Sequence, residues 1–336
     1  MKRLLLATLF ALYCLSSCNP TNPDLPEPKP IVPEEPETPQ EPETPAEPQD
    51  PSYPVDAVQA LQDAGLIRSI KSSNTYSPHK GVAVTEIRYT DYAGSPQAVF
   101  VMQVDLSDET VSITNTVPGG ATTSFNMGRE KLSEQFKRID ASGHRVIGGT
   151  NTDFFTTAEG ADSGRAQGIF WHNGICLRNV FASQTTRPRC FVYWGSDEKV
   201  HIEPAAQYTV VKASINLQEA FSGGQFLVRG GEITTFTEDS VYGVHPRTMI
   251  GVTDDPQKIV LVVLDGRNSV LAVGMNYPDM QLMMKALGSK DAINLDGGGS
   301  STFIVRSNDQ FQIKNLPSDG SERAIGPGLA VIASDL

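Results

Sequence analysis

Short runs of apolar and β-branched residues, separated by turn residues, fill most of the chain after residue 53. The segments GVAVTEIRYT, QAVFVMQVDL and TVSITNTV follow this pattern, which is typical of antiparallel strands. QGIFWHNGIC and GQFLVRGGEIT place His-Asn-Gly or Gly-Gly between two apolar runs and therefore predict hairpins. Near-continuous apolar runs in HRVIGGTNTDFF, KIVLVVLDGRN and DAINL predict buried strands, and STFIV and GLAVIAS predict two more.

Apolar residues at helical spacing predict three helices. The first covers residues 55–70, the second runs from about Ser124 to Ile139, and the third lies in NYPDMQLMMKALG and ends at Gly288. The third helix lies between two predicted buried strands and so forms a strand-helix-strand unit. Because strands outnumber helices and hairpins join most of them, we expect an α+β fold with a mixed, largely antiparallel sheet and flanking helices.

The first 52 residues differ from this pattern. Residues 1–17 contain two basic residues, an apolar run and then small residues, which predicts an export signal. The sequence LSSC resembles the lipobox of bacterial lipoproteins, in which Cys18 becomes lipidated; an unmodified cysteine beside an ordinary cleavage site is the alternative. Residues 18–52 are rich in Pro and Glu and predict a disordered, extended tether. These features together predict an exported protein that Cys18 anchors in the lipid bilayer of a bacterial membrane, at its periplasmic face or at the cell surface.

The acidity of the chain belongs mostly to this tether. The formal net charge is −12, and residues 24–50 hold nine acids and one lysine. Since Lys2 and Arg3 are both basic, the remaining chain carries −6. This balance argues against nucleic-acid binding.

Residues 53–336 are long enough for one large core, and no second linker divides them, so we expect one domain. Residues 53–143 form its N-terminal part, and residues 144–336 hold the candidate catalytic region. Cys176 and Cys190 lie in this region and could form a disulfide in an exported protein, or remain two buried thiols.

Polar residues suited to catalysis or binding follow directly after predicted strands in NTDFF, HPRT, LDGRN and NLDGGGSS. Each segment alone also fits an ordinary turn. Sites are commonly built from loops just beyond the ends of core strands, so the four segments together predict one site. The candidate residues are Asn151, Asp153, Phe155, His245, Arg247, Thr248, Asp265, Arg267, Asn294, Asp296, Gly297, Gly298, Gly299, Ser300 and Ser301, with Arg323 in a later segment.

These residue types indicate the chemistry of the site. Arginines and glycine amides suit phosphate or another oxyanion, whereas carboxylates suit a nucleophile, a base or the recognition of sugar hydroxyls. The P-loop, dinucleotide-binding, EF-hand and nucleophile-elbow motifs are all absent. His245 is either catalytic or a structural donor. No cofactor is expected, although three acids in these loops could instead hold a divalent cation through oxygen ligands.

Five segments occur in an order that resembles the phosphodiester glycosidase family. They are NTDFF, HPRTMIGVTDD, IVLVVLDGRN, VGMNYPDMQLMMKALGSKDAINLDGGGSSTF and ERAIGPGLAVI, and together they span roughly residues 144–333. This family includes the enzyme that removes a capping N-acetylglucosamine to uncover mannose 6-phosphate.

The resemblance implies that the chain cleaves the bond between a sugar's anomeric carbon and a phosphodiester oxygen of a glycan or glycoconjugate, with an N-acetylhexosamine as the expected sugar. It would release free sugar and a phosphomonoester. Asp296 is the first candidate for nucleophile or base, and Asp265 the second. The expected phosphate ligands are Arg247, Arg267, Arg323, the amides of Gly297 to Gly299, and the hydroxyls of Ser300 and Ser301. The residues expected to orient sugar hydroxyls are Asn151, Asp153 and Asn294.

Two other functions fit some of these features. A non-enzymatic surface lipoprotein that binds an anionic glycan or cell-wall polymer would also have a lipobox and a tether. It would usually expose aromatic side chains for sugar stacking, and the chain has only two tryptophans, Trp171 and Trp194. A hydrolase of ordinary glycosidic bonds would need a general acid with a raised pKa, and no glutamate in the four loops is an evident candidate.

Overall fold

The computed structural model describes residues 53–120, 127–159, 163–181, 189–236 and 243–334. The predicted export signal, Cys18 and tether lie outside the described residues. Residues Asp50–Leu336 form one compact unit. Within the described ranges, no helix is both long enough and apolar enough to cross a membrane.

The described ranges contain four helices and twenty strands. The helices are α1 (Ala57–Asp63), α2 (Leu132–Ala141), α3 (Tyr208–Ser214) and α4 (Tyr277–Ala286). The strands of the first half are β1 (Ser69–His79), β2 (Val82–Thr90), β3 (Pro96–Asp105), β4 (Val111–Thr116), β5 (Glu130–Lys131), β6 (Arg145–Asn151), β7 (Phe170–His172), β8 (Ile175–Arg178), β9 (Cys190–Trp194) and β10 (His201–Pro204). Those of the second half are β11 (Glu219–Gly223), β12 (Phe226–Arg229), β13 (Glu232–Ile233), β14 (Arg247–Val252), β15 (Lys258–Leu264), β16 (Asp291–Asn294), β17 (Phe303–Ser307), β18 (Gln310–Ile313), β19 (Ala324–Ile325) and β20 (Gly328–Ala333).

Three main sheets organise these strands. The first has eight strands in the order β1-β2-β3-β15-β14-β16-β12-β13, the second has the order β18-β17-β6-β20-β4, and the third has the order β10-β9-β11-β7-β8. A small fourth sheet pairs β19 with β5. Neighbouring strands in the described residues are antiparallel throughout. In the first sheet, for example, β14 is antiparallel to both of its neighbours, β15 and β16. The predicted α+β fold with a largely antiparallel sheet is therefore confirmed.

One core lies between the inner faces of the three main sheets. Phe100 of the first sheet, Phe303 of the second and Phe221 of the third are all buried in it. The rings of Phe100 and Phe303 lie 5.8 Å apart. This shared core fixes the ends of β6, β14, β15 and β16 relative to one another, and these ends carry the candidate residues.

The helices cover the outer faces of the sheets. Helices α1 and α4 pack their apolar residues on the first sheet, as the cluster of Leu61, Met280 and Val262 shows. Helix α2 covers the second sheet through Leu132 and Phe136. Helix α3 packs on the third sheet, also through aromatic contacts of Tyr208.

Two helix predictions are wrong in their bounds. The first helix ends at Asp63, because Gly65 takes the left-handed backbone conformation (φ 72°), and the chain then enters β1, whose pairing with β2 overrides the helical pattern. The second helix begins only at Leu132, because Glu130–Lys131 pairs with β19 instead. Residues 124–126 of that prediction lie outside the described residues.

The third helix and the two hairpins follow the sequence closely. The side chain of Asn276 accepts the amide of Asp279 at the start of α4, and Gly288 has a positive φ of 82° just after its end. In the hairpin of β7 and β8, Asn173 and Gly174 both have positive φ, as a type I′ turn requires.

Cys176 and Cys190 are free thiols. Cys190 is buried at the start of β9, and its burial raises the pKa of its thiol to about 12. Of the two alternatives left open by the sequence, the structure therefore has the unpaired one.

Candidate functional site

Asn151, the last residue of β6, joins three of the four predicted loops. Its Nδ2 donates to the carbonyl oxygen of Asp296 at 2.7 Å, and its Oδ1 accepts from the Thr248 hydroxyl at 2.9 Å and from the Thr302 amide at 3.1 Å. The hydroxyl oxygens of Thr248 and Ser301 lie 3.3 Å apart. The structure thus brings these predicted residues together, with Asn151 as a buried link between the first and second sheets.

The three glycines after β16 leave room for backbone and for two arginines. A Cβ at Gly298 would lie 3.0 Å from Nη2 of Arg267, and one at Gly299 would overlap the guanidinium group of Arg323. A Cβ at Gly297 would lie 2.8 Å from the carbonyl oxygen of Pro246. The glycine loop therefore lies directly under two of the predicted arginines.

Asp296 lies at the start of this loop and is partly open to solvent. Desolvation raises the pKa of its carboxyl from the ordinary 3.8 to about 6, although the Ser300 hydroxyl, the Arg323 charge and the Gly297 amide all oppose the rise. Arg323 in turn donates from Nη1 to the Ser300 hydroxyl oxygen at 3.2 Å. Asp296, Ser300 and Arg323 thus form one connected group.

Asp153 supplies a second carboxyl beside the first. It is only 1% exposed, and its Oδ2 accepts the Ser222 amide at 3.3 Å. Its Oδ1 has no hydrogen-bond partner among the described residues. Burial raises the pKa of Asp153 well above its ordinary value, and the nearby Asp296 charge raises it further.

Arg189 is a member of the site that the sequence did not indicate. Its guanidinium group donates to Oε1 of Gln167 at 2.6 Å and lies over the Phe154 ring, 4.8 Å from its centroid. Its positive charge lowers the pKa of both Asp153 and Asp296. Arg189 directly precedes β9, far in sequence from the four loops, and the apolar run CFVYW that follows it was the available local signal.

Asp265 lies among other partners. Its Oδ1 accepts the Leu316 amide at 2.7 Å and Nδ2 of Asn315 at 3.2 Å. Burial raises the pKa of Asp265 to about 6, with Arg88 as the charged residue that opposes the rise. Asn315 also donates to the Ser301 carbonyl oxygen at 3.0 Å, so Asp265 supports the segment that follows the glycine loop.

Arg247 lies on the side of β14 that faces helix α4. Its Nε donates to the Met275 carbonyl oxygen at 2.9 Å, and its guanidinium group stacks 4.8 Å from the centroid of the Tyr277 ring. Thr248, the next residue, points to the opposite face of the sheet, toward Asn151. His245 is largely exposed. The small part of its ring that is desolvated, together with the positive charges of Arg247 and Arg267, lowers its pKa.

Asn294 and Phe155 lie within the scaffold. The Asn294 side chain accepts the Gln225 amide at 2.8 Å and packs on Gly224, which has no room for a Cβ there. Phe155 is buried in the cluster under helix α2. The structure therefore gathers Asp153, Asp296 and Ser300 with Arg189 and Arg323, and places Asp265, Arg247, Asn294 and Phe155 around that group.

A metal centre has no ready set of ligands here. Across the described ranges, no group of three or more His, Cys, Asp and Glu side chains is placed to hold a metal ion.

Residues 144–332 match the phosphodiester glycosidase family. One relative with a related sequence is an uncharacterized protein, YomE, derived from the SPbeta prophage of Bacillus subtilis. It is 30% identical over 181 residues, which make up 52% of this chain and 26% of the relative. The chain thus spans about a quarter of the length of this relative.

Two solved structures share the fold. The catalytic domain of zebrafish N-acetylglucosamine-1-phosphodiester alpha-N-acetylglucosaminidase, auto-inhibited by its pro-peptide, is 21% identical with a TM-score of 0.58, and the match covers 78% of this chain and 88% of that one. A putative exported protein from Burkholderia pseudomallei is 14% identical with a TM-score of 0.56, and the match covers 80% of this chain and 98% of that one. Because the family match extends over more than half of the sequence, the chain belongs to the phosphodiester glycosidase family.

Proposed function

We propose that the chain hydrolyses the glycosidic C–O bond of a sugar-1-phosphodiester of the N-acetylhexosamine class and releases free sugar and a phosphomonoester. Membership of the phosphodiester glycosidase family supports this reaction. The observation that carries it is the pair of carboxyls, Asp153 and Asp296, in the field of two guanidinium groups, Arg189 and Arg323.

The leaving group sets what the site must supply. A phosphomonoester has a second pKa of about 6, so it departs at neutral pH with little need for a general acid. The reaction instead needs cations for the charge that grows on the phosphate, and a carboxylate for the oxocarbenium-like anomeric carbon. Arg323, held against Gly299 by the glycine loop, is the phosphate ligand in this proposal.

Asp296 is the nucleophile or base. Its pKa of about 6 leaves the carboxyl mostly ionised at neutral pH, while desolvation keeps it more basic than an exposed aspartate. The Ser300 hydroxyl and the Gly297 amide hold the carboxylate in place. This group is therefore both oriented and reactive at the end of β16.

Asp153 has a different role because its side chain is buried, which raises its pKa well above the ordinary value. Burial disfavours the charged form of this carboxyl, so Asp153 carries negative charge next to the phosphate less readily than an exposed aspartate would. Because its side chain is buried, Asp153 is assigned a supporting role beneath Asp296 and not a contact with the sugar. The two carboxyls thus have different roles because their environments differ.

The test is a screen of the purified protein against sugar-1-phosphodiesters in water labelled with oxygen-18. We expect free sugar that carries the label at its anomeric oxygen, because C–O cleavage adds water to the sugar. Label in the phosphomonoester, or release of sugar phosphate, would show cleavage of a P–O bond and contradict the proposal.

Two variants assign the reaction to this site. Asp296→Asn should lower kcat by roughly a thousandfold or more, as the loss of a nucleophile or base does. Asp291→Asn is the matched control, since Asp291 lies at the opposite end of the same strand, where it accepts the Gly230 amide at 2.9 Å. Near-full turnover by Asp296→Asn would remove Asp296 from the mechanism.

We also propose that the protein is exported and anchored in the membrane through lipidated Cys18, on the strength of the LSSC segment and the tether. Expression in a bacterium should place the protein in the membrane fraction, and Cys18→Ser should move it to the soluble fraction. A mature N-terminus without acyl mass at Cys18 would contradict this proposal.

A further inference from the structure

Arg267 is held in a strained position at the rim of the glycine loop. It is not a glycine, yet its φ is 62°, in the left-handed region that side chains rarely adopt. This conformation places its guanidinium group against Gly298. Within the described part of the chain, the guanidinium group has no carboxylate partner, and the residue is exposed. A strained backbone thus presents the Arg267 guanidinium group beside the proposed site.

The residues after Arg267 present two aliphatic side chains to solvent. Asn268 and Ala272 exchange both backbone hydrogen bonds at 3.0 Å, and the Asn268 side chain accepts the amides of Val270 and Leu271, each at 3.0 Å. This closed turn leaves Val270 76% exposed and Leu271 47% exposed. The aliphatic tip is therefore fixed by its backbone and is not covered by the protein.

The tip and the glycine loop belong to one rim. A Cβ at Gly274, on the returning arm of the turn, would lie 2.5 Å from the His245 carbonyl carbon, so the turn packs closely on the segment before β14. Pro246 of that segment accepts the Gly298 amide at 2.9 Å. Val244, which precedes His245, is 44% exposed. Arg267 therefore borders the glycine loop, and the same rim carries exposed aliphatic residues.

We propose that this rim binds the alcohol that is esterified to the phosphate of the substrate. This alcohol carries a long alkyl chain, as a lipid alcohol does. Arg267 binds a phosphate oxygen, and Val270 and Leu271 contact the first methylene groups of the chain. This assignment rests on the proposed hydrolysis of a sugar-1-phosphodiester. A polyol or sugar alcohol would leave the aliphatic tip in water. An alkyl chain that packs on the tip removes its own apolar surface and that of Val270 and Leu271 from water.

The binding test uses methyl phosphate and octyl phosphate, the latter below its micelle-forming concentration, and measures dissociation constants by calorimetry. We expect octyl phosphate to bind at least about tenfold more tightly, since each buried methylene group favours binding. The double variant Val270→Asn with Leu271→Asn should bring the ratio of the two constants close to one, and Arg267→Gln should weaken both ligands. Val210→Asn is the matched control, because Val210 is 62% exposed on helix α3, away from this rim, and should leave the ratio unchanged.

The outcomes separate this inference from the proposed function. Equal affinity for the two phosphates, or no binding of either, overturns the lipid assignment even if sugar-1-phosphodiesters are hydrolysed. Binding to phosphatidylglycerol vesicles without a preference for monomeric octyl phosphate also overturns it, in favour of a contact with the bilayer. If octyl phosphate binds as expected but no sugar-1-phosphodiester is cleaved, the proposed function fails while the alkyl phosphate site remains.

Discussion

At the scale of single residues, Asp296 sets the pH at which the proposed reaction becomes possible. Only its ionised form can act as nucleophile or base, so kcat/KM should fall on the acid side of its pKa of about 6. The Ser300 hydroxyl stabilises the charged form, and its removal therefore raises the pKa. In Ser300→Ala, we expect the acid limb of the pH profile to move to higher pH.

The matched control for this shift is Ser301→Ala. Ser301 is buried next to Ser300, but its hydroxyl contacts the Thr248 hydroxyl and is not a partner of Asp296. Profiles of kcat/KM between pH 4.5 and 8 compare the two variants directly. A limb that stays in place in Ser300→Ala, or moves equally in both variants, would contradict the role of this hydroxyl.

Arg189 is the residue whose charge acts on both carboxyls. Its replacement by methionine keeps a long side chain and removes the positive charge, so the pKa of both Asp153 and Asp296 should rise. We expect a loss of roughly a hundredfold in kcat/KM at neutral pH, together with an acid limb at higher pH. Arg145→Met, at an exposed ion pair with Asp309, serves as the control and should change neither.

At the scale of elements, the glycine loop determines where Arg323 lies. A Cβ at Gly299 would overlap the guanidinium group of Arg323 and the carboxylate of Asp319, which pairs with it, and the backbone of Gly299 is not left-handed, so alanine is disfavoured by this side-chain pair and not by backbone strain. Gly299→Ala should therefore displace the flexible arginine and lower kcat/KM by roughly tenfold or more, with little change in stability. Gly195→Ala provides a comparison, because a Cβ there meets its neighbours at 3.5 Å; turnover in Gly299→Ala equal to that in Gly195→Ala would show that Arg323 is not needed.

The sequence predicted elements better than it predicted the orientation of side chains. Alternation and turn residues located most strands, and the strand ends correctly indicated that Asn151, Thr248 and Asp296 lie together. The same alternation leaves open which face of a strand meets a helix, so it could not show that Arg247 stacks on Tyr277. Arg189 was missed because its approach to Asp153 depends on the packing of the third sheet against the second, which no local pattern records.

The first predicted helix shows the same limit at the level of pairing. Residues 57–63 have a helical pattern and form α1, with Asp56 as its N-cap. The pattern continues beyond Gly65, but residues 69–79 gain a full set of ladder hydrogen bonds by pairing with β2 at the edge of the first sheet. Tertiary pairing therefore overrides local propensity where the chain can extend a sheet.

At the scale of the whole molecule, buried carboxyls reduce stability at neutral pH, and Asp265 allows this cost to be measured. Its pKa rises from 3.8 to about 6 on folding, so the folded state binds more protons than the unfolded chain between about pH 4 and 6. The contribution of Asp265 to stability is thus fully present below pH 4 and is lost as the pH rises through 6. At about 1.4 kcal/mol for each pKa unit, the loss is at most about 3 kcal/mol.

Asp265→Asn removes this titration and keeps an oxygen that can accept the Leu316 amide. The free energy of unfolding of this variant, relative to that of the unmodified protein, should increase by up to about 3 kcal/mol between pH 4 and pH 7. Urea denaturation at four pH values across this range measures the difference in the free energy of unfolding. The contributions of the other buried carboxyls are the same in both proteins and cancel. Asp309→Asn, at a largely exposed carboxyl, is the matched control over the same pH range. If the difference for Asp265→Asn does not change with pH, burial of Asp265 does not lower the stability of the fold at neutral pH. Its partners Asn315 and Leu316 must then stabilise the ionised form.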